Sequence, residues 1–351
     1  MTTKAYPAAE EALHDAGLRY VSCQSKGYQR IRTAKKGFIY LDKKGDTISN
    51  PQLLSRIHSL VIPPAWQQVW ICPTANGHIQ ATGLDARGRK QYRYHPSWNK
   101  LRNKDKFSNL QLFGKKLPIL EKRIKRDLRS KKITRELVCA LALSIMGKTY
   151  FRIGNKTYEK ENKSYGLTTL LNHHLRQLHQ NKVFFRFIGK KGVVQQSFLH
   201  EKSLIRLLNK VKEIPGQRLF QYYDEQQQQK ELDSGELNEY LKEATDAALT
   251  CKIFRTWYAC ILTLHYLSSL SRCTTDKERK QALASVIDKV AGQLGNTRTV
   301  TRTHYIHPLI IESYLLGKLD RWLSLIQHKG TSNPENPLYK RKLMAILKSR
   351  T

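Results

Sequence analysis

The sequence predicts an α+β protein: a small N-terminal antiparallel β-domain followed by a mostly α-helical domain that carries a three-stranded β-island. Three observations lead there. Short alternating stretches bounded by Gly-containing turns crowd the first hundred residues. After Pro96 the apolar residues recur at helical spacing. One cluster of strand-like stretches, HLRQLHQ, KVFFRFIG and VVQQSFLH, interrupts those helices.

Element by element, GYQRIRTAKKGFIYLDKKGDTI reads as two strands with glycine turns, and NPQLLSRIHSL as a short helix with Pro51 in its first turn. QVWICPT, HIQATGLD and RKQYRYH follow as strands. Asn76-Gly77 is expected as a hairpin turn between the first two, and Ala86-Arg87-Gly88 between the next two. Helices are expected over KLPILEKRIKRDL and TRELVCALALSIMGKTYF, the latter capped by Thr134. Asn181 and Lys190-Lys191-Gly192 mark the two turns of the β-island. KSLIRLLNKVKEI returns to helix, and Asp233 with Glu236 forms a capping-box pattern. Further helices are expected at roughly 252–270 and 276–293, the second ending at Gly292 or Gly295. Gln226–Gln229 reads as a surface loop insert, and the end of the chain as a polar tail with a weakly helical LYKRKLMAILKS. The expected organisation is therefore 1–95, 96–330 and a tail over 331–351, with no internal repeat.

Charge narrows the function. The 351 residues carry 62 Lys plus Arg against 28 Asp plus Glu, a net +34 spread along the whole chain. A folded chain this basic draws polyanions, and backbone phosphates gain from Lys and Arg through counterion release. Double-stranded DNA is the expected partner. No basic amphipathic anchor points to a membrane, and the apolar run Leu137–Gly147 falls short of the ~20 residues a bilayer needs. The opening MTTKAYPAAEEALHDAG has no charged-then-apolar pattern of a leader, and the six cysteines contain no CxxC pair, so reduced thiols and a cytoplasmic, nucleoid-associated location are expected.

Two familiar chemistries fit poorly. Gly147-Lys148-Thr149 resembles the end of a phosphate-binding loop, but the first glycine is replaced by Ala142 and the context is helical. The few carboxylates, Asp85, Glu121, Asp127 and Glu136 among them, form no set that would hold Mg²⁺. Neither a metal nor another cofactor is expected. What remains is phosphoryl transfer by cations and one hydroxyl, which needs a nucleophile, cations on the non-bridging oxygens and an acid for the leaving oxygen. Four segments offer these: FRIGNKTYEKENKSYGLTTL with Arg152, FRFIGKKG with Lys190, KIFRTW with Lys252 and Arg255, and LGNTRTVTRTHYIHP with Asn296 and Tyr305.

Those segments, together with IPPAWQQVWICPTANGHIQATGLDARGRKQYRYHP, resemble the signatures of type IB DNA topoisomerases, in particular the compact bacterial and poxvirus-like group. The resemblance covers roughly residues 20–320 and keeps the family's order of blocks. It implies a tyrosine recombinase-like catalytic core and a monomer whose two domains close around duplex DNA. It also implies relaxation of supercoils through a 3′-phosphotyrosyl intermediate, with neither ATP nor metal. By the same resemblance Tyr305 is the nucleophile, Arg152 and Arg255 stabilise the phosphate oxygens, Lys190 protonates the departing 5′ oxygen and Lys252 supports. Tyr92 and Tyr94 contact DNA, with Lys90, Arg93 and Arg302 as further DNA-binding candidates. Poxvirus and eukaryotic members carry histidine nine residues before the tyrosine, whereas this chain, like bacterial members, has Asn296. An amide can still donate to a phosphate oxygen, without charge. His304 and His307 flank the tyrosine and read as packing or DNA-proximal residues. Two rivals remain. A tyrosine recombinase would show His-x-x-Arg at Lys252-x-x-Arg255 and a helical N-terminal domain. An architectural DNA-binding protein would explain the charge but not the ordered blocks.

Overall fold

The computed structural model describes residues 13, 16–33, 37–179, 181–271, 273, 275–328 and 333–349. Most of the opening stretch read as lacking a leader lies outside them, as do residues 331, 332, 350 and 351 of the expected tail. The chain divides into two units, Met1–Lys106 and Phe107–Thr351. The change of character in the sequence falls at Pro96. The units part ten residues later, because the helix that begins at Pro96 runs without a break to Asp127.

The first unit is an antiparallel sheet in the order β2-β1-β3-β4-β5: β1 Tyr28–Thr33, β2 Gly37–Leu41, β3 Gln67–Ile71, β4 Ile79–Leu84 and β5 Lys90–Tyr94. Helix α1, Pro51–Ser59, is capped by Asn50 and buries Ile57 against Tyr40, Val69, Ile71 and Ala81. The turn at Gly88 forms as expected. Asp85 Oδ1 accepts the Arg87 and Arg89 amides at 3.0 Å each, and Gly88 takes φ +71. Asn76-Gly77 lies in the connection that joins antiparallel β3 and β4, but not as a tight two-residue turn. Residues 72–78 form a longer connection, held where Gln80 Nε2 donates to Ala75 O and Gly77 O at 2.9 and 2.7 Å. Gly77 is needed there for space, since a Cβ would stand 2.5 Å from Cys72 Sγ. Buried Arg30 fixes the loop before β3 by donating to the carbonyls of Ile62, Pro63 and Trp66 at 2.8–3.0 Å.

The second unit is built around α3, Arg135–Thr149 (α2 is Pro96–Asp127), whose apolar residues are buried nearly all round. A helix hydrophobic on every side belongs inside a core, and this is the run too short for a bilayer. No helix among the described residues is long and apolar enough to cross a membrane. Thr134 accepts the Leu137 amide as the N-cap, and Asp233 with Glu236 forms the expected capping box ahead of the helix Ser234–Thr245. The β-island is β6 Leu175–His179, β7 Lys182–Ile188 and β8 Val194–Leu199, in that order and antiparallel. Gln229 pairs with Tyr223 in a small hairpin rather than sitting in a free loop.

The stretch expected as a weakly helical tail contributes to the core. Its helix, Pro337–Lys348, buries Tyr339, Leu343, Ile346 and Leu347. The Tyr339 hydroxyl meets Ser268 Oγ at 2.8 Å. Its sequence reads weakly because the apolar face is short and lysines flank it, yet burial against the helix that carries Ser268 outweighs propensity.

Candidate active site

Four segments of the second unit converge on Tyr305. The first leaves α3 through Tyr150, which takes the left-handed conformation at φ +58 and turns the chain sharply. The stretch Phe151–Gly154 that follows is clamped by the returning Gly166–Thr169. Leu167 N donates to Arg152 O at 2.8 Å and Thr168 N to Ile153 O at 2.7 Å. Gly166 allows this, because a Cβ there would lie 2.5 Å from Gly154 N. Arg152 is thus fixed at its backbone, and its Nη2 donates to Asn296 Oδ1 at 2.5 Å.

Arg255 lies within α7, Lys252–Ser268 (α4 is Lys156–Asn162, α5 Lys202–Lys212 and α6 Ser234–Thr245). It is 3 % exposed. Its Nη1 donates to Tyr150 O and its Nη2 to Leu294 O, the latter at 2.7 Å. Both carbonyls end helices and are otherwise short of donors. The guanidinium sits 5.3 Å from the centroid of the Tyr305 ring. Its Nε is buried with no partner. Burial, then the charge of Arg152, pushes Arg255 down to about 10, against an opposing pull from Tyr305. It remains charged at neutral pH.

Lys190 occupies the exposed tip of the β7–β8 hairpin. Gly189 N closes the turn on Val193 O at 2.8 Å, and Lys191 and Gly192 both take positive φ. Desolvation and the charges of Arg152, Lys191 and Lys252 hold its ammonium below the ordinary lysine range, with Tyr305 opposing. Lys252 begins α7 and points into solvent.

Helix α8, Asp276–Leu294, ends on Gly295 at φ +57. Asn296 follows. Arg152 has donors only, so the amide oxygen must face it, and Nδ2 is left buried with no partner. The short α9, Arg298–His304, then delivers Tyr305 at its C-terminal cap. The tyrosine is half-buried. Burial raises its hydroxyl, but the charges of Arg255 and Arg152, a hydrogen bond from Arg255 and the charge of Lys252 outweigh it and leave the pKa lowered. Cys260 Sγ donates to Tyr305 O at 3.5 Å and receives the His307 amide at 3.3 Å, which fixes the backbone on both sides.

Neighbouring residues have other duties. Arg298 pairs with Asp288, Nε to Oδ1 at 2.6 Å. His307 Nδ1 accepts the Leu309 amide and caps the next helix. Arg302 is exposed and joins no ion pair among the described residues. Gly147-Lys148-Thr149 is the last turn of α3, and Lys148 Nζ is held by Glu201 at 2.6 Å and by Glu335. Among the described residues no three His, Cys, Asp or Glu side chains converge as a metal site would need.

In the first unit, Lys90, Tyr92 and Tyr94 share one face of β5, as alternation requires. The tyrosine rings stack at 5.8 Å and are 42 % and 40 % exposed. Lys90 Nζ stands 5.8 Å from the Tyr92 ring. Arg93 faces the other way and donates to Val61 O at 2.6 Å. The carbonyl anchors of Arg255 and the Gly154–Gly166 approach depend on residues far apart in the chain. Only the glycines carried a visible signal.

Two family profiles match the chain. "Eukaryotic DNA topoisomerase I, catalytic core" covers residues 95–314, and "Bacterial DNA topoisomerase IB, N-terminal domain" covers 37–85. DNA topoisomerase 1B of Acanthamoeba polyphaga mimivirus is 31 % identical over 296 residues, spanning 82 % of this chain and 88 % of that protein. DNA topoisomerase 1B of vaccinia virus (strain Copenhagen) is 24 % identical over 257 residues, 70 % of this chain and 75 % of that protein. DNA topoisomerase 1 beta of Arabidopsis thaliana is 25 % identical over 202 residues, which make up 58 % of this chain but 21 % of that larger protein. The chain belongs to the DNA topoisomerase I family, type IB. It is an isomerase that acts on DNA, and the recombinase reading is not favoured.

Proposed function

We propose that Tyr305 Oη, giving up its proton to water, attacks the scissile phosphorus of duplex DNA, forming a 3′-phosphotyrosyl bond as the P–O5′ bond breaks. The observation that carries this is the pair of buried donors without partners, Arg255 Nε and Asn296 Nδ2, beside a tyrosine whose hydroxyl is drawn down by three cations. An unpaired buried donor costs about 1–3 kcal/mol, so a site that keeps two is held ready for an acceptor. A phosphate supplies several oxygens at once. Arg152 and Arg255 neutralise the charge that grows on the non-bridging oxygens, with Asn296 as a neutral third donor. Lys190 Nζ gives its proton to O5′. A lowered pKa makes it a better acid at neutral pH, which arginine cannot be. Rotation of the freed 5′ end relaxes supercoils. Resealing reverses each step: O5′ attacks phosphorus, its proton returns to Lys190, and Tyr305 leaves. The ester conserves the energy of the broken bond, so no nucleotide is consumed.

Lys90, Tyr92 and Tyr94 contact the same duplex, and Arg302 meets its backbone. Arg93, exposed and bonded through Nη2 to Val61 O, remains a further candidate contact. The protein works as a monomer on nucleoid DNA in the cytoplasm. The test is plasmid relaxation in EDTA without ATP. Tyr305→Phe should bind DNA with unchanged affinity yet form no covalent adduct and relax nothing. Relaxation by that variant would overturn the assignment.

A further inference from the structure

The two groups that must meet the phosphate from opposite elements, Lys190 and Asn296, share one neighbour. Each directly follows a glycine, Gly189 and Gly295. Both glycines abut the side chain of Gln195, which is 8 % exposed and pairs with Phe187 across β7 and β8. A Cβ on Gly189 would lie 2.7 Å from Gln195 Cγ, and one on Gly295 2.8 Å from Gln195 Oε1 and nearer still to Nε2. The stem of the glutamine therefore fills the space of a side chain at the root of the lysine hairpin, and its amide fills the same space at the end of α8.

We infer that Gln195 is a positioning residue that sets the spacing between Lys190 and Asn296. The hairpin tip is otherwise held by its own turn. Lys190 lies among exposed residues, and like charges on Arg152 and Lys252 push it away from the site. A wedge on the buried side of β8 opposes that push by keying the hairpin root to the helix end that carries Asn296. Gly295 serves twice, because its φ of +57 already favours glycine and the glutamine leaves no room for anything larger. Gln195 touches no reacting atom in this scheme, which rests on the roles proposed for Lys190 and Asn296.

The experiment is single-turnover cleavage by the full-length protein on two substrates, one with the natural 5′ oxygen at the scissile bond and one with a 5′ sulfur, whose thiolate leaves without a proton. Gln195→Ala should slow cleavage of the oxygen substrate about 10-fold and lose most of that defect on the sulfur substrate. Gln195→Met, which keeps the stem volume, should recover most of the rate. Combined with Lys190→Ala, Gln195→Ala should add less than its separate effect. DNA affinity and melting temperature should hold within a small margin for both single variants. Equal slowing on both substrates, full additivity with Lys190→Ala, or no slowing at all would overturn the inference. If Lys190→Ala itself gains nothing from the sulfur substrate, the acid role falls. The double-variant comparison still decides whether Gln195 acts through Lys190.

Discussion

Asn296 offers the sharpest test of how the site handles charge. Its amide faces two ways: Oδ1 accepts Arg152 at 2.5 Å and Nδ2 is buried with nothing to donate to. Asn296→Ala removes both. The lost donor is one that would meet a charged phosphate oxygen, worth about 1.5–3 kcal/mol. At about 1.4 kcal/mol per decade this is a ~10- to 150-fold fall in cleavage rate. Arg152 also loses its anchor, which moves the expectation toward the upper end, about 100-fold. Asn296→Asp separates the two faces. A carboxylate keeps and strengthens the Arg152 contact but replaces the donor with a negative charge facing the phosphate. Two like charges about 4 Å apart repel by ~4 kcal/mol at the effective dielectric of such a site. The aspartate variant should therefore cleave at least ~10-fold more slowly than the alanine one, although it is the closer in shape. The assay is appearance of the covalent protein–DNA adduct in a single turnover on a suicide substrate, with melting temperature as the folding control. Cleavage by Asn296→Ala within about 3-fold of wild type, or by Asn296→Asp faster than by Asn296→Ala, would refute the reasoning.

Other outcomes follow from the same geometry. Arg152→Ala should raise the Lys190 pKa toward the ordinary lysine value, because a like charge that disfavours the ammonium is gone. Titration of selectively labelled lysine methylene signals by NMR reads this, and a fall or no change would contradict it. Arg255→Lys should lose both activity and stability, since one ammonium cannot reach Tyr150 O and Leu294 O together in the geometry of the planar fork; relaxation and thermal melting both report it. Gly166→Ala should lower the melting temperature through overlap with the Gly154 backbone, a cost of about 1–3 kcal/mol, and cleavage should fall with it as Arg152 shifts. In salt titrations of DNA binding, Lys90→Ala and Arg302→Ala should each reduce the slope of log K against log salt by about 0.9. Arg298→Ala should leave that slope unchanged, because Asp288 already neutralises it; equal slopes for all three variants would remove Lys90 and Arg302 from the interface.

Much of the fold was legible because periodicity and capping are local. The island strands, the Thr134 cap, the Asp233–Glu236 box and the Gly295 stop each depend on residues within a few positions of one another. Readings that failed involved distant partners. Asn76-Gly77 looks like a tight turn, but Arg56 and Gln80 hold a longer loop in place. LYKRKLMAILKS looks like a tail, but α7 offers it a surface to bury against.

At the site the division is similar. Residue types and charge offered four candidate segments, but it was their ordered resemblance to type IB topoisomerases that singled out Tyr305, Arg152, Lys190, Arg255 and Asn296 as one chemical set. The sequence by itself determined which atoms are available for the reaction and that their partner is a polyanion. It could not assign duties among chemically alike residues. Arg298 and Arg302 lie four apart and are both exposed, yet Arg298 is neutralised by Asp288 while Arg302 joins no ion pair among the described residues. Arg93 and Lys90 sit on one strand and face opposite ways. Only the tertiary structure decided those matters, and it alone showed Gln195 between two glycines a hundred residues apart in the chain. The physical reason is that availability is a property of each side chain, whereas orientation, burial and unpaired donors are properties of the neighbours that folding supplies.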